Sequence, residues 1–104
     1  MDYGLTETTI NKLVSVFSAC PQIEQVILYG SRAKGNFRNG SDIDLTIVGK
    51  SVTHSLQLRL ENTLDDLLLP HKIDLSLLHE IENLDLLDHI KRVGVVLYRR
   101  TAEE

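Results

Sequence analysis

The chain has 104 residues, 42% of them hydrophobic and 25% charged, with a formal net charge of −4. That length predicts one domain over residues 1–104 and leaves no room for a second, substrate-binding domain. The acidic surplus argues against broad, non-specific nucleic-acid binding, which needs excess Lys and Arg to displace counterions, although Arg32, Lys34 and Arg38 form a local basic spot.

The first helix is expected from Thr6 to Ala19. Ile10, Leu13, Val14 and Phe17 make one apolar face, Thr6 is placed to cap, and Pro21 stops the run. Gln25 to Tyr29 (QVILY) is short, apolar and rich in β-formers, and Gly30 bounds it, so it reads as a buried strand. Asp42 to Val48 alternates: Asp42, Asp44 and Thr46 point one way, Ile43, Leu45 and Ile47 the other. A second long helix is expected from a cap at Ser51 to about Leu69, with Val52, Leu56, Leu60, Leu64 and Leu67 on one face and Pro70 ending it. Lys72 to Leu78 alternates again, with Asp74 and Ser76 opposite Ile73, Leu75 and Leu77. Asn83 caps a last helix through Leu84, Leu87 and Ile90, Gly94 reads as its C′ residue, and Val95 to Tyr98 is a final strand. The order predicts an α/β (α+β-like) fold, a mixed sheet of about four strands with helices packed on it.

Connection lengths say which strand ends meet. The link between the first two strands holds no long helix, at most one turn at Ser31 to Lys34, so that pair is expected to be antiparallel. The second and third strands are joined by a full helix, so they should be parallel. Gly30, Ser31, Asp42, Asp44 and Asp74 then collect at one rim of the sheet. Asp42 and Asp44 share a face, about 6–7 Å apart along the strand. Three converging carboxylates repel unless cations lie between them, and hard oxygen donors with room for phosphates suit Mg²⁺. Two such ions can clamp the attacking and leaving oxygens of a phosphoryl or nucleotidyl transfer. Gly30 lets backbone approach a phosphate, Ser31 adds a hydroxyl, and the following amides can form an anion nest. Arg32 and Lys34 either add charge to a triphosphate or are ordinary surface charges. Ser41 is a further phosphate candidate, more simply read as a turn residue.

"GS", ten residues, "DID" and a later "KIDL" strand together resemble the minimal nucleotidyltransferases (MNT) of the DNA polymerase beta superfamily. "GSRAKG" also resembles the form "GSRARG" common among them, with Lys34 in place of Arg. The similarity runs from the first helix to the last strand. It implies a polymerase-beta-type fold and Mg²⁺-dependent transfer of a nucleoside monophosphate, AMP from ATP by family habit, to a hydroxyl. It also implies roles: Asp42 and Asp44 hold both metals, while Asp74 binds the acceptor-side metal and helps deprotonate the hydroxyl. Many small members pair with a helical HEPN protein as the antitoxin of a toxin–antitoxin system and adenylylate (AMPylate) a toxin tyrosine. A chain this short has little left to build an acceptor site, which also favours a protein partner and a hetero-oligomer.

Other readings stand beside these. The aspartates could be a solvated strand face. The domain could be a non-catalytic module that neutralises its partner by contact, or it could nucleotidylate a small molecule such as an aminoglycoside. His54, His71, His79 and His89 show no metal spacing and read as surface or core-edge residues; Tyr3, Tyr29 and Tyr98 read as packing. Cys20 is the only cysteine, so no internal disulfide forms. With no signal peptide and no membrane-spanning run, a cytoplasmic protein without a membrane role is expected.

Overall fold

A computed structural model describes residues 3–38 and 40–101. Along the chain run α1 (Glu7–Ser18), β1 (Gln25–Tyr29), the short α2 (Gly30–Lys34), β2 (Ile43–Val48), α3 (His54–Asp66), β3 (Ile73–Leu77), a 3₁₀ turn (Leu78–Glu80), α4 (Leu84–Val93) and β4 (Val95–Arg99). The strands form one mixed sheet in the order β3-β2-β1-β4. β1 pairs antiparallel with β2 and with β4, while β2 and β3 run parallel across the α3 crossover. No helix among the described residues is long and apolar enough to cross a membrane.

Strand alternation sorts the two faces. Val26, Leu28, Ile43, Leu45, Ile47, Leu75 and Leu77 point to one side, where they join Leu13 and Phe17 of α1 and Leu60 and Leu64 of α3 in the main core. On the other side Ile27 and Tyr29 meet α4: Ile27 Cγ2 lies against Gly94, and the Tyr29 ring against His89. Ile90 is buried on this second side, outside the main cluster. The register puts Tyr29, Asp44 and Asp74 in one row across three strands, with Ile27, Thr46 and Ser76 in the next row on the same face.

Several local expectations need correction. Ser51 does not cap α3; it lies in a turn closed by Val52 N–H donating to the Gly49 carbonyl. Thr53 is the cap, its hydroxyl accepting from Leu56 N–H at 3.2 Å. α3 also ends at Asp66, short of Leu69, because Leu68 takes a left-handed conformation (φ 54°) and turns the chain before Pro70 is reached. Gly94 caps α4 but at φ −62°, so left-handed geometry is not its reason. A Cβ there would land on the Ile90 carbonyl oxygen and crowd Ile27 Cγ2, so glycine allows the close approach of α4 to β1. Thr46, expected on a polar face, is fully buried, its hydroxyl lying 3.5 Å from the Ser76 carbonyl. Leu84, expected on the apolar stripe of α4, is 78% exposed. The caps at Thr6 and Asn83 are as expected, accepting from Thr9 and Leu86 amides.

Candidate functional site

The end of β1 and the start of β2 meet at the sheet rim. Gly30 has φ +77°, and a Cβ on it would land on Asp44 Oδ2. Glycine is therefore required here twice: for the left-handed backbone and for the close approach of the carboxylate. Asp44 is half-buried and lies in register with Asp74 on β3, whereas Asp42 is exposed just ahead of β2. Burial pushes the Asp44 carboxyl above the usual carboxylate range, and repulsion by Asp74 and then Asp42 pushes it further; His89 opposes the shift. Tyr29, the third member of the row, is buried and has its phenol raised, first by burial and then by Asp74 and Asp44. A hydrogen bond with Ser76 opposes that shift.

Asp74 and Asp42 thus both act on Asp44, but the three are not a finished cage. Among the described residues no three His, Cys, Asp or Glu side chains gather closely enough to hold a metal ion by themselves. Mg²⁺ does not demand such a cage: it is commonly bound by one or two carboxylates together with substrate phosphates and water. Mutually repelling hard oxygen donors fit a divalent cation that arrives with its substrate.

The other candidates divide. Ser31 is half-buried in the first turn of α2, its carbonyl accepting from the Gly35 and Asn36 amides. Lys34 is exposed at the end of α2. Arg32 is not a surface charge: it is only 2% exposed. Its Nε and Nη2 donate to the Ser41 carbonyl at 3.2 and 2.9 Å, and its Nη1 donates to the Tyr3 carbonyl at 3.0 Å. Nη2 also meets His71 Nδ1 at 3.2 Å, and the guanidinium lies over the Phe37 ring at 5.3 Å. Each nitrogen is committed to the protein, which ties the loop after α2 to the N-terminal segment and to the approach to β3. Burial, and then Arg32, hold the His71 imidazole below its ordinary value. Ser41 is part of the same framework: its hydroxyl accepts from Arg38 N–H at 2.8 Å and its own N–H donates to the Arg38 carbonyl.

Sequence reasoning passed over His89. Its Nε2 accepts the Gly30 amide at 3.1 Å, and its ring meets Tyr29 edge-on at 6.1 Å. No local motif marks a contact spanning this much chain. The available hint was its place beside Ile90 and Leu86 on the inward side of the last helix.

The sequence profile of the "Polymerase beta, Nucleotidyltransferase" family matches residues 11–103. A toxin–antitoxin complex with AMP-PNP contains a similar chain (21% identity, TM-score 0.71), over 90% of this chain and 76% of that one. So does the complex of the tri-AMPylated Shewanella oneidensis HEPN toxin with MNT antitoxin (19% identity, TM-score 0.68, 90% and 72% covered). At such identities these two speak to the fold. A protein described as a minimal nucleotidyltransferase is similar at 26% identity and TM-score 0.66, over 91% of this chain and 95% of that one. Among curated proteins none matches the sequence.

Proposed function

Because the chain belongs to the polymerase beta nucleotidyltransferase family, we propose that it transfers AMP from ATP to a hydroxyl of a protein partner. We take that hydroxyl to be a tyrosine of a HEPN-type toxin, with this chain as the antitoxin. The observation that carries the reading is the Asp44–Asp74 register beside a left-handed Gly30. It supplies adjacent carboxylates facing a turn that backbone can bring close to phosphate.

In this reading Asp42, Asp44 and Asp74 would hold two Mg²⁺ ions, which supply charge neutralisation on the phosphates and on the attacking oxygen. Asp74, exposed on the edge strand β3, takes the proton of the acceptor hydroxyl. The freed oxygen lone pair bonds to the α-phosphorus, the bond from that phosphorus to the bridging oxygen breaks, and pyrophosphate leaves with the electron pair. Gly30 and Ser31 contact the phosphates, and exposed Lys34 adds charge at their outer end. Arg32 and Ser41 shape the loop from within. The toxin assignment is supported by neighbours that are themselves toxin–antitoxin complexes, one holding AMP-PNP and one a tri-AMPylated HEPN toxin.

The test is intact mass of a co-expressed HEPN-type partner after incubation with this protein, Mg²⁺ and each nucleoside triphosphate separately. The expected result is a gain of one or more AMP units that disappears with Asp44→Ala. A stable complex with no mass gain from any nucleotide would replace transfer with neutralisation by contact.

A further inference from the structure

Gly30 is the first residue of α2, and an amide in a first helical turn has no acceptor within its own helix. Tyr29, at the capping position, supplies no side-chain acceptor. The acceptor comes instead from α4, as His89 Nε2 at 3.1 Å. To accept, that nitrogen must be unprotonated, which places the ring proton on Nδ1. The imidazole is held in turn: its ring meets Tyr29 edge-on, centroids 6.1 Å apart and planes at 79°.

We propose that His89 is a positioning residue for the Gly-Ser turn, its Nε2 holding the Gly30 amide so that the turn keeps the shape that receives the nucleotide's phosphates. The inference rests on the nucleotidyltransferase reading above. Gly30 is the point where a left-handed backbone and the Asp44 carboxylate crowd each other. A small rotation there moves Ser31 on one side and the clearance for Asp44 on the other. Docking of α4 does not explain the bond, because Ile90 is already buried and Gly94 already lies against Ile27. Apolar docking alone would leave the Gly30 amide without this acceptor; the bond to His89 supplies it.

The experiment compares wild type, His89→Ala and His89→Gln, whose terminal amide oxygen reaches about as far as Nε2. Amide exchange and chemical shift of Gly30 are read first without nucleotide. ATP–Mg²⁺ is then titrated while the Ser31 amide is followed, with melting temperature as a control. In His89→Ala the Gly30 amide should exchange faster, and ATP–Mg²⁺ affinity should fall about five- to tenfold, the scale of one hydrogen bond. His89→Gln should restore both in part. A Gly30 amide indifferent to His89→Ala would overturn the proposal. So would a lower melting temperature with unchanged nucleotide affinity, which is the signature of docking alone. Failure of wild type to bind any nucleoside triphosphate would remove the functional reading and this inference together. Wild-type binding with undiminished affinity in His89→Ala would remove this inference only.

Discussion

Arg32 and Asp44 are both drawn out of water beside the same turn, the arginine to 2% exposure and the aspartate to half-burial. Around Arg32 every nitrogen has a protein partner: two carbonyls, an imidazole nitrogen and the face of Phe37. Around Asp44 the carboxylates of Asp74 and Asp42 push its pKa up, His89 opposes them, and among the described residues no Lys or Arg makes an ion pair with any of the three. Burial of a charge is costly unless hydrogen bonds or opposite charge offset it. The arginine meets that condition from within the fold, and Asp44, the one partly buried member of its group, does not. One cluster is framework; the other, in the proposed reading, is completed by the metal ions and the substrate. Variants in the two should therefore fail in opposite ways.

The largest effect is expected at Asp44. Asp44→Ala should lower transfer about a thousandfold or more, the scale of losing a preorganised charge-stabilising group, while thermal stability is kept or improved because a repelling carboxylate is gone. Single-turnover assays paired with melting curves measure both. A variant that unfolds would put Asp44 in the framework alongside Arg32 and end the contrast.

Arg32→Ala should do the reverse. It leaves the Tyr3 and Ser41 carbonyls without their donor and opens a cavity over Phe37, at a cost of about 2–4 kcal/mol in urea unfolding. Transfer should fall only as far as the folded fraction falls. A variant of normal stability with weak ATP binding would return Arg32 to the phosphate-contacting role that its place in "GSRAKG" suggests.

That residue marks where the sequence stopped being informative. The span of β1, the caps at Thr6 and Asn83 and the parallel β2–β3 pair were legible because each depends on local chemistry or on a connection length. The Asp44–Asp74 row followed from that topology plus strand alternation. Arg32 and Lys34 look alike in sequence, two residues apart in one basic stretch, yet one is buried and one exposed. What separates them is a carbonyl near the N-terminus and a histidine beyond α3, both supplied by tertiary contact. His89 was illegible for the same reason, since its partner is an amide and leaves no side-chain signature. The cap at Thr53 was missed in a stretch with hydroxyls at Ser51, Thr53 and Ser55, where composition does not choose among them.

Divalent metal sharpens the contrast on a smaller scale. Adding Mg²⁺ with a non-hydrolysable ATP analogue should raise wild-type stability by about 1.4 kcal/mol at ten times the dissociation constant. Arg32→Ala, once folded, should gain as much, and Asp44→Asn should gain far less. Equal gains in all three proteins would mean that the ion is held away from Asp44.

The smallest effect belongs to the Arg32 cluster, and only pH reveals it. Burial and the adjacent guanidinium lower the His71 pKa from its ordinary 6.5, so the folded protein favours the neutral ring. Below that value the unfolded chain takes up the proton more readily than the folded one, so stability falls as pH drops. The contribution is fully present above about pH 6.5 and is lost progressively toward the lowered folded value. Urea midpoints between pH 5 and 7.5 should therefore decline toward acid in wild type. His71→Asn keeps an acceptor for Arg32 but has nothing to protonate, so its decline should be shallower. An unchanged slope would assign the pH dependence to other groups and leave the neutral His71 as only a convenient acceptor.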